Sequence, residues 1–478
     1  MAYTGTAVTK AITRAMNYFQ KPIVNIGEQR VRYVKLDPRS PLDITANSEV
    51  EFNIPANATD QIDLSRSSLE MTISFSKKDS SNHFAYNGNF EHEENEYLIL
   101  LDGFLQTQWK NVMFAVGNKT VLNSQNDHSY RAYIDMRLHV TDDELDETKE
   151  NWLFTRETGM TQEDQPHPWK GHNRGAQYRF RRIQHRQKIE LSGPLGIELW
   201  RHKDVDFLPY LIHNTSYQFK LTPATDNFRF QVTPASLADN FEYHLHRIQL
   251  NLCYITLSPE ALQGFEAALL KEPVMYSYIR HLVKIIPLHK GIRERRCPDI
   301  FDTVVPMDVT MVMVDRDAFA GEFDRNPFFF KRNNIARVAF YQDGIPIPNE
   351  PLTFGPEEPD AVLPADKGVD ETLTCAIKEI HRVARTTKNG FFREKLVFGS
   401  GEVKDKFVKG YGNGHFIICI QTDPTADPTR RLWGVPKTGN LSLILDFHEQ
   451  LPTEQQLIII ARYPGLMSID KARNVTVM

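Results

Sequence analysis

The chain has 478 residues, of which 41% are hydrophobic, 11% aromatic and 24% charged, with a formal net charge of -5. That make-up excludes a disordered chain, which cannot bury enough apolar surface to offset the entropy of ordering, and it excludes a protein wrapped in a uniform basic field for nucleic acid. The length fits two large β-sandwich domains as well as three average ones.

In chain order, residues 1–22 set Val8, Ile12, Ala15, Met16 and Phe19 on one helical face, with Lys10 and Arg14 off it. With Lys21, Arg30, Arg32, Lys35 and Arg39 against only Glu28 and Asp37, the first forty residues form a basic arm. Such an arm can touch a membrane or another subunit, or dock on its own domain. Pro22, Pro38 and Pro41 break it from the body. Met1 to Phe19 lacks the long apolar core of a secretory signal, and no run reaches the roughly eighteen apolar residues of a membrane span, so synthesis in the cytosol is expected.

A β pattern begins near Ile44. Val50, Phe52 and Ile54 alternate up to Pro55, and Leu69, Met71, Ile73 and Phe75 alternate with Glu70, Thr72 and Ser74. The rest of the chain is organised around the stretch Asp102 to Leu138. Val112, Phe114 and Val116 share one strand face, Gly117-Asn118-Lys119 supplies a turn, and then Tyr130, Tyr133, Ile134, Arg137 and Leu138 recur at helical spacing behind Asp127 and a capping Ser129. Thr141 to Gly175 is a long polar excursion holding Trp152, Phe154, Met160 and Trp169, and long connections of this kind are usually functional or pack on a partner.

Strand signals resume at Tyr178 to Leu191, Leu195 to Leu199, Tyr217 to Thr222, Phe228 to Val232 and His244 to Ile255. The basic run around Arg179, Arg181, Arg182 and Arg186 interleaves aromatics, as nucleic-acid surfaces do, but strand alternation produces the same pattern, and a strand is expected there. Ser258-Pro259-Glu260 starts a helix, with Ser258 as its cap. The β logic then repeats: Val309, Met311 and Met313; Ala336, Val338 and Phe340, followed by an Asp343-Gly344 hairpin turn; and Leu441, Leu443, Leu445 and Phe447.

Chemistry-bearing motifs are missing. There is no phosphate-binding loop, no HExxH and no GxSxG, and Gly410 to Gly414 lacks the spacing and βαβ context of a dinucleotide site. Cys253, Cys297, Cys375 and Cys419 show no metal spacing and read as small hydrophobes in a reducing compartment. His244 and His246 share a strand face as a cupin metal pair would, but the carboxylate ligand such a site needs does not follow them. No enzyme, cofactor or metal is expected.

The strand-turn-helix package carrying YRAYID resembles the first jelly-roll of the major capsid proteins of Polinton (Maverick) elements and adintoviruses, which are related to adenovirus-like and virophage capsid proteins. The likeness continues through RIQHRQKIELSGPLGIELWRHKD and the Leu208-Pro209 passage, the helix followed by Tyr-x-x-Arg, the Asn326-Pro327-Phe328 series and the closing SIDKARNV, over roughly residues 45 to 475. It implies an all-β double jelly-roll of two eight-stranded antiparallel sandwiches with short helices. The expected division is a basic arm (1–44), a first jelly-roll (45–257), a helical connector (258–300), a second jelly-roll (301–470) and a tail (471–478).

The resemblance further implies a structural major capsid protein, forming trimeric, pseudo-hexameric capsomers of an icosahedral shell around double-stranded DNA. Its partners would be itself, a minor capsid or penton protein and, through the basic arm, the genome or inner proteins. It would reside in the virion capsid after assembly in the nucleus. The acidic groups at 91–96, 142–150 and 357–360 read first as solvated loops, the sharper alternative being a two-sided molecule with basic segments facing an anionic interior and these loops facing out. Trp109, Trp152 and Trp169 are expected as anchors of subunit contacts. The competing classes are a carbohydrate- or receptor-binding β-sandwich, including a host-retained capsid protein, and a cupin-like metalloenzyme.

Overall fold

The computed structural model describes residues 27–39, 48–78, 84–85, 97–141, 144–155, 174–184, 188–194, 210–233, 235–356, 373–384, 414–423, 425 and 437–477. The arm of residues 1–22, the strand expected over 195–199, Trp169 and Gly410 to Asn413 lie outside them.

The first half contains strands β1 (Glu28–Leu36), β2 (Val50–Ile54), β3 (Asp60–Lys78), β4 (Phe84–Ala85), β5 (Tyr97–Leu100), β6 (Trp109–Val116), β7 (Lys119–Asn123), β8 (Ile189–Gly193), β9 (Tyr217–Pro223), β10 (Phe230–Thr233) and β11 (Phe241–Leu257). They form one sheet ordered β1-β11-β3-β4, with β8 also on β3, and a second ordered β2-β9-β6-β7; β5 and β10 pair by themselves. All the pairings are antiparallel. Leu69, Met71 and Ile73 from β3 meet Phe52, Phe114, Phe219 and Leu221 from the facing sheet in one apolar core. The alternation read from the sequence is what produces this, because successive strand residues point to opposite faces.

The second half contains β12 (Val274–Leu288), β13 (Glu294–Phe301), β14 (Asp308–Asp315), β15 (Ile335–Gln342), β16 (Ile345–Thr353), β17 (Ile417–Gln421), β18 (Leu441–Phe447), β19 (Gln455–Ile469) and β20 (Val475–Val477). One sheet runs β12-β19-β14-β17, with β20 on the end of β19, and it faces a sheet ordered β13-β18-β15-β16. Leu441, Leu443, Leu445 and Phe447 all point into the core between them. The β15–β16 hairpin turns at Asp343 and Gly344, both at positive φ, 50° and 84°, which suits an Asp-Gly pair.

The helices are α1 (Phe104–Thr107), α2 (His128–His139), α3 (Leu145–Asn151), α4 (Arg174–Gln184), α5 (Pro259–Leu269), α6 (Arg316–Ala320) and α7 (Thr374–Ala384). Ser258 caps α5, its hydroxyl accepting from the Ala261 amide at 3.2 Å, with Pro259 in the first turn. Of the connector expected over 258–300, only α5 is helical. The rest is β12 and β13, and β1 pairs with β11 although it falls within the expected arm.

The basic run from residue 178 corrects the strand reading. It is helix, because Ala176, Phe180 and Ile183 recur at helical spacing and bury one face, carrying Arg179 inward with them. Ser129 does not cap α2; its hydroxyl donates instead to the Trp109 carbonyl at 2.9 Å.

Candidate functional site: the seam between the two sandwiches

The β6–β7 hairpin closes through Gly117 (φ 57°) and delivers the chain to α2. That helix does not stay in its own half. Tyr130, Tyr133, Ile134, Met136 and Leu138 belong to the core of the second sandwich, with Met311, Phe328, Phe330 and Ile460. Tyr133 stacks on Phe328 with ring centroids 4.4 Å apart and meets Phe330 edge-on at 5.8 Å; Tyr130 stacks on Phe319 at 5.8 Å and meets Phe328 edge-on. The exchange is reciprocal. Tyr276 and Tyr278 from the start of β12, and Met467 and Ile469 from the end of β19, enter the first core, where Val475 and Val477 of β20 also pack.

Beneath this aromatic layer sits a buried charge hub. Asp102 takes Arg179 from α4 at 3.0 Å and lies 3.5 Å from Arg137 of α2; the carboxylate also accepts the Thr155 amide at 2.6 Å and hydroxyl at 3.0 Å. Arg179 Nε donates to the Leu100 carbonyl at 2.7 Å, and Arg137 Nε to the Tyr133 hydroxyl at 2.8 Å, with its guanidinium 5.1 Å from that ring. All three charged side chains are at most 2% exposed. A buried carboxylate with two buried guanidinium partners fixes geometry, since each group is tolerated only where its partners stand.

A second ion pair supports the far side. Arg462 on β19 grips Asp308 of β14 through Nε at 2.5 Å and Nη2 at 2.8 Å, and Nη2 also donates to the Val383 carbonyl of α7 at 3.2 Å. Outside the seam, Glu266 of α5 joins His213 at 2.6 Å and Arg473 at 2.8 Å, clamping the first sandwich to the closing segment. Partial burial pushes the Glu266 carboxyl up, but the His213 hydrogen bond and the Arg473 charge outweigh it and hold it below its usual value.

The three tryptophans end in different settings. Trp109 is 2% exposed inside the first core, where its Nε1 donates to the Leu105 carbonyl at 3.0 Å. Its surface is used within its own sandwich, which corrects the expectation of an anchor for another subunit. Trp109→Ala should therefore act on folding, lowering stability by about 3 to 5 kcal/mol, and thermal unfolding should show the loss while the folded fraction keeps its association state. Trp152 is partly exposed and packs against both cores, with its ring closed over Gly193.

The HxH pair has a structural role: Ser76 lies 2.7 Å from His244 Nε2, and Ser74 lies 2.7 Å from His246 Nε2. Among the described residues no group of three or more His, Cys, Asp or Glu side chains is arranged to hold a metal, and no helix is long and apolar enough to cross a membrane. What these residues build is a rigid joint between two sandwiches, and nothing in its sequence beyond the YRAYID helix signalled that joint. The partners Phe328, Asp102 and Arg179 were legible only as ordinary strand, turn and run residues.

The same two-sandwich arrangement is found in solved structures over nearly their whole length. A chain of the Sputnik virophage superposes with a TM-score of 0.60 at 12% identity, covering 100% of this chain and 94% of that one. The mavirus major capsid protein gives 0.53 at 9% identity, covering 100% and 95%. The fold is a double jelly-roll. A third double jelly-roll, the Faustovirus major capsid protein, gives 0.51 at 9% identity, covering 96% and 92%. No family model matches the sequence. An uncharacterized protein of Caenorhabditis elegans is 21% identical over 262 residues, which is 54% of this chain and 57% of that protein, so the match spans less than two thirds of that relative.

Proposed function

We propose that this double jelly-roll protein is a structural major capsid protein, the unit of trimeric, pseudo-hexameric capsomers in the icosahedral shell of a double-stranded DNA virus or virus-like element of the Polinton and adintovirus type. The observation that carries the proposal is the reciprocal seam. Two similar sandwiches are fused through each other's cores into one body, a subunit with two sandwich units for lateral contacts. The full-length likeness to mavirus and Faustovirus major capsid proteins supports the same reading.

The surface supplies contact material. β1 and β12 are edge strands in their sheets; Val31 and Tyr33 on the first, and Met275, Leu282 and Ile285 on the second, are exposed apolar side chains. Exposed apolar side chains on edge strands offer contact sites for another chain. Trp152 and Trp169 are the tryptophans proposed for subunit contacts. The basic segment ahead of β1 is proposed to meet the genome or inner proteins, with a minor capsid or penton protein as a further partner and the virion as the final location. The polypeptide is proposed to divide after β11, at about residue 257, with α5 (Pro259–Leu269) as the link to a second jelly-roll that begins at β12.

Light scattering on the purified protein at low and moderate salt checks this. The expected result is a stable mass of three chains, growing to sheets or shells on concentration. A protein that stays monomeric throughout would point instead to a β-sandwich that binds carbohydrate or a receptor.

A further inference from the structure

Within the seam, α2 packs near β12, β14 and β19 around a cavity of about 10 Å³, room for a single water, whose lining includes Arg131, Asp135, His281, Thr310 and Arg462. Arg131 spans it. Nη1 lies 3.3 Å from Nδ1 of His281 on β12, and Nη2 lies 3.2 Å from Nδ1 of His128 one turn back on α2. A guanidinium only donates, so both Nδ1 atoms must accept, and both imidazoles must be neutral with their protons on Nε2. A protonated imidazole has no acceptor left. Acid would therefore remove both hydrogen bonds and set two new positive charges against Arg131, in a joint formed by one element from each jelly-roll.

We propose that His128, Arg131 and His281 form an acid-sensitive latch between the jelly-rolls, closed while both imidazoles are neutral and released when they are protonated.

The surroundings favour the neutral rings. His128 is 0% exposed and starts α2, at the end where the helix dipole opposes a cation. Burial first, and then the Arg131 charge, hold both histidines well below their usual value; Asp135 on α2 pulls the other way for each, while Arg462 and His139 add to the depression of His281. The Arg462 charge is itself met by Asp308 of β14, and Glu379 on α7 is paired with Arg382. Along β12, Arg280 is exposed and Lys284 sits over the Phe301 ring.

Folded-state values below the unfolded value of about 6.5 mean that the unfolded chain binds protons the folded one refuses. The latch's contribution is complete above about pH 6.5 and is lost as pH falls below it. Asp127, before α2, acts with the opposite sign. Burial raises its carboxyl to about 6 against the opposing Lys110 charge, so the folded chain gains from its protonation as pH drops, one carboxyl against two imidazoles.

The test is hydrogen exchange, read by mass spectrometry on the full soluble chain at about pH 7.5 and about pH 5.5, corrected for the intrinsic exchange rate. In acid, α2 and the middle of β12 should lose protection by about tenfold or more, the effect of one pKa unit on one group, while the β3–β11 ladder keeps its own. In the H128Q/H281Q variant, where each Gln can accept from Arg131 without titrating, that loss should disappear, leaving at most the small gain from Asp127. Unchanged protection in the wild type, a uniform loss through both jelly-rolls, or a loss that persists in the double variant would each overturn the latch. Should the double variant not fold at neutral pH, H281Q alone must move the onset of the loss to lower pH, and an unmoved onset overturns the proposal as well. The latch does not depend on the capsid reading, because the measurement needs no assembly; if both hold, acid would loosen each subunit within a shell.

Discussion

Replacing Asp102 with Ala should destabilise the fold severely. The substitution withdraws the negative charge that Arg137 and Arg179 share and the acceptor of the Thr155 amide, all in a site with almost no solvent access. Removing one partner of a buried pair costs about 3 to 5 kcal/mol, because the remaining charge stays behind without it, and here two guanidinium groups are affected. Against a total stability of roughly 5 to 15 kcal/mol, that is enough to move the folding equilibrium decisively. Asp102→Asn keeps the shape and one acceptor oxygen while losing the charge, and should fall between Ala and the wild type. Urea unfolding followed by circular dichroism and fluorescence gives the ranking. A D102A protein with an unfolding free energy within about 1 kcal/mol of wild type would show that the hub does not hold the seam.

The second large effect is expected at Tyr133. Its ring is fully buried, stacks on Phe328 from the other jelly-roll, and presents its hydroxyl to Arg137. Tyr133→Ala should cost about 3 to 5 kcal/mol, as truncation of a buried aromatic does. Tyr133→Phe should cost about 1 kcal/mol, the net worth of a hydrogen bond, and more if Arg137 is left short of an acceptor. Phe328→Ala should match the Tyr133→Ala loss. The informative quantity is the coupling in the double mutant, expected at about 0.5 to 1.5 kcal/mol for a stacked aromatic pair. Phe219, which meets Phe52 inside the first jelly-roll, is the control and should combine additively with Tyr133. Strict additivity between Tyr133 and Phe328 would mean that the two jelly-rolls are not coupled through α2.

Much of the fold follows from local pattern. The alternation in β3, β6 and β18 and the turn residues Gly117 and Asp343-Gly344 depend only on neighbours a few positions away, so the sequence displays them directly. The α5 cap at Ser258 is legible for the same reason. The error at α4 marks the limit. Tyr178, Phe180 and Arg182 satisfy a two-residue period, while Ala176, Phe180 and Ile183 satisfy a helical one, and a run of eleven residues supports both until something buries one face.

The sequence by itself determined an all-β chain with two rounds of strands, a helix after the β6–β7 hairpin and a capped helix between the halves, because these rest on periodicity and turn chemistry. Only the tertiary structure decided that α2 of the first jelly-roll fills the core of the second while the ends of β12 and β19 return the insertion. It alone placed Trp109 inside a core and joined Asp102 to Arg137 and Arg179. Such choices are made by the packing of side chains far apart in the chain, where any large apolar or charged residue offers the same local signal and only the shape and charge of the opposing face select among them.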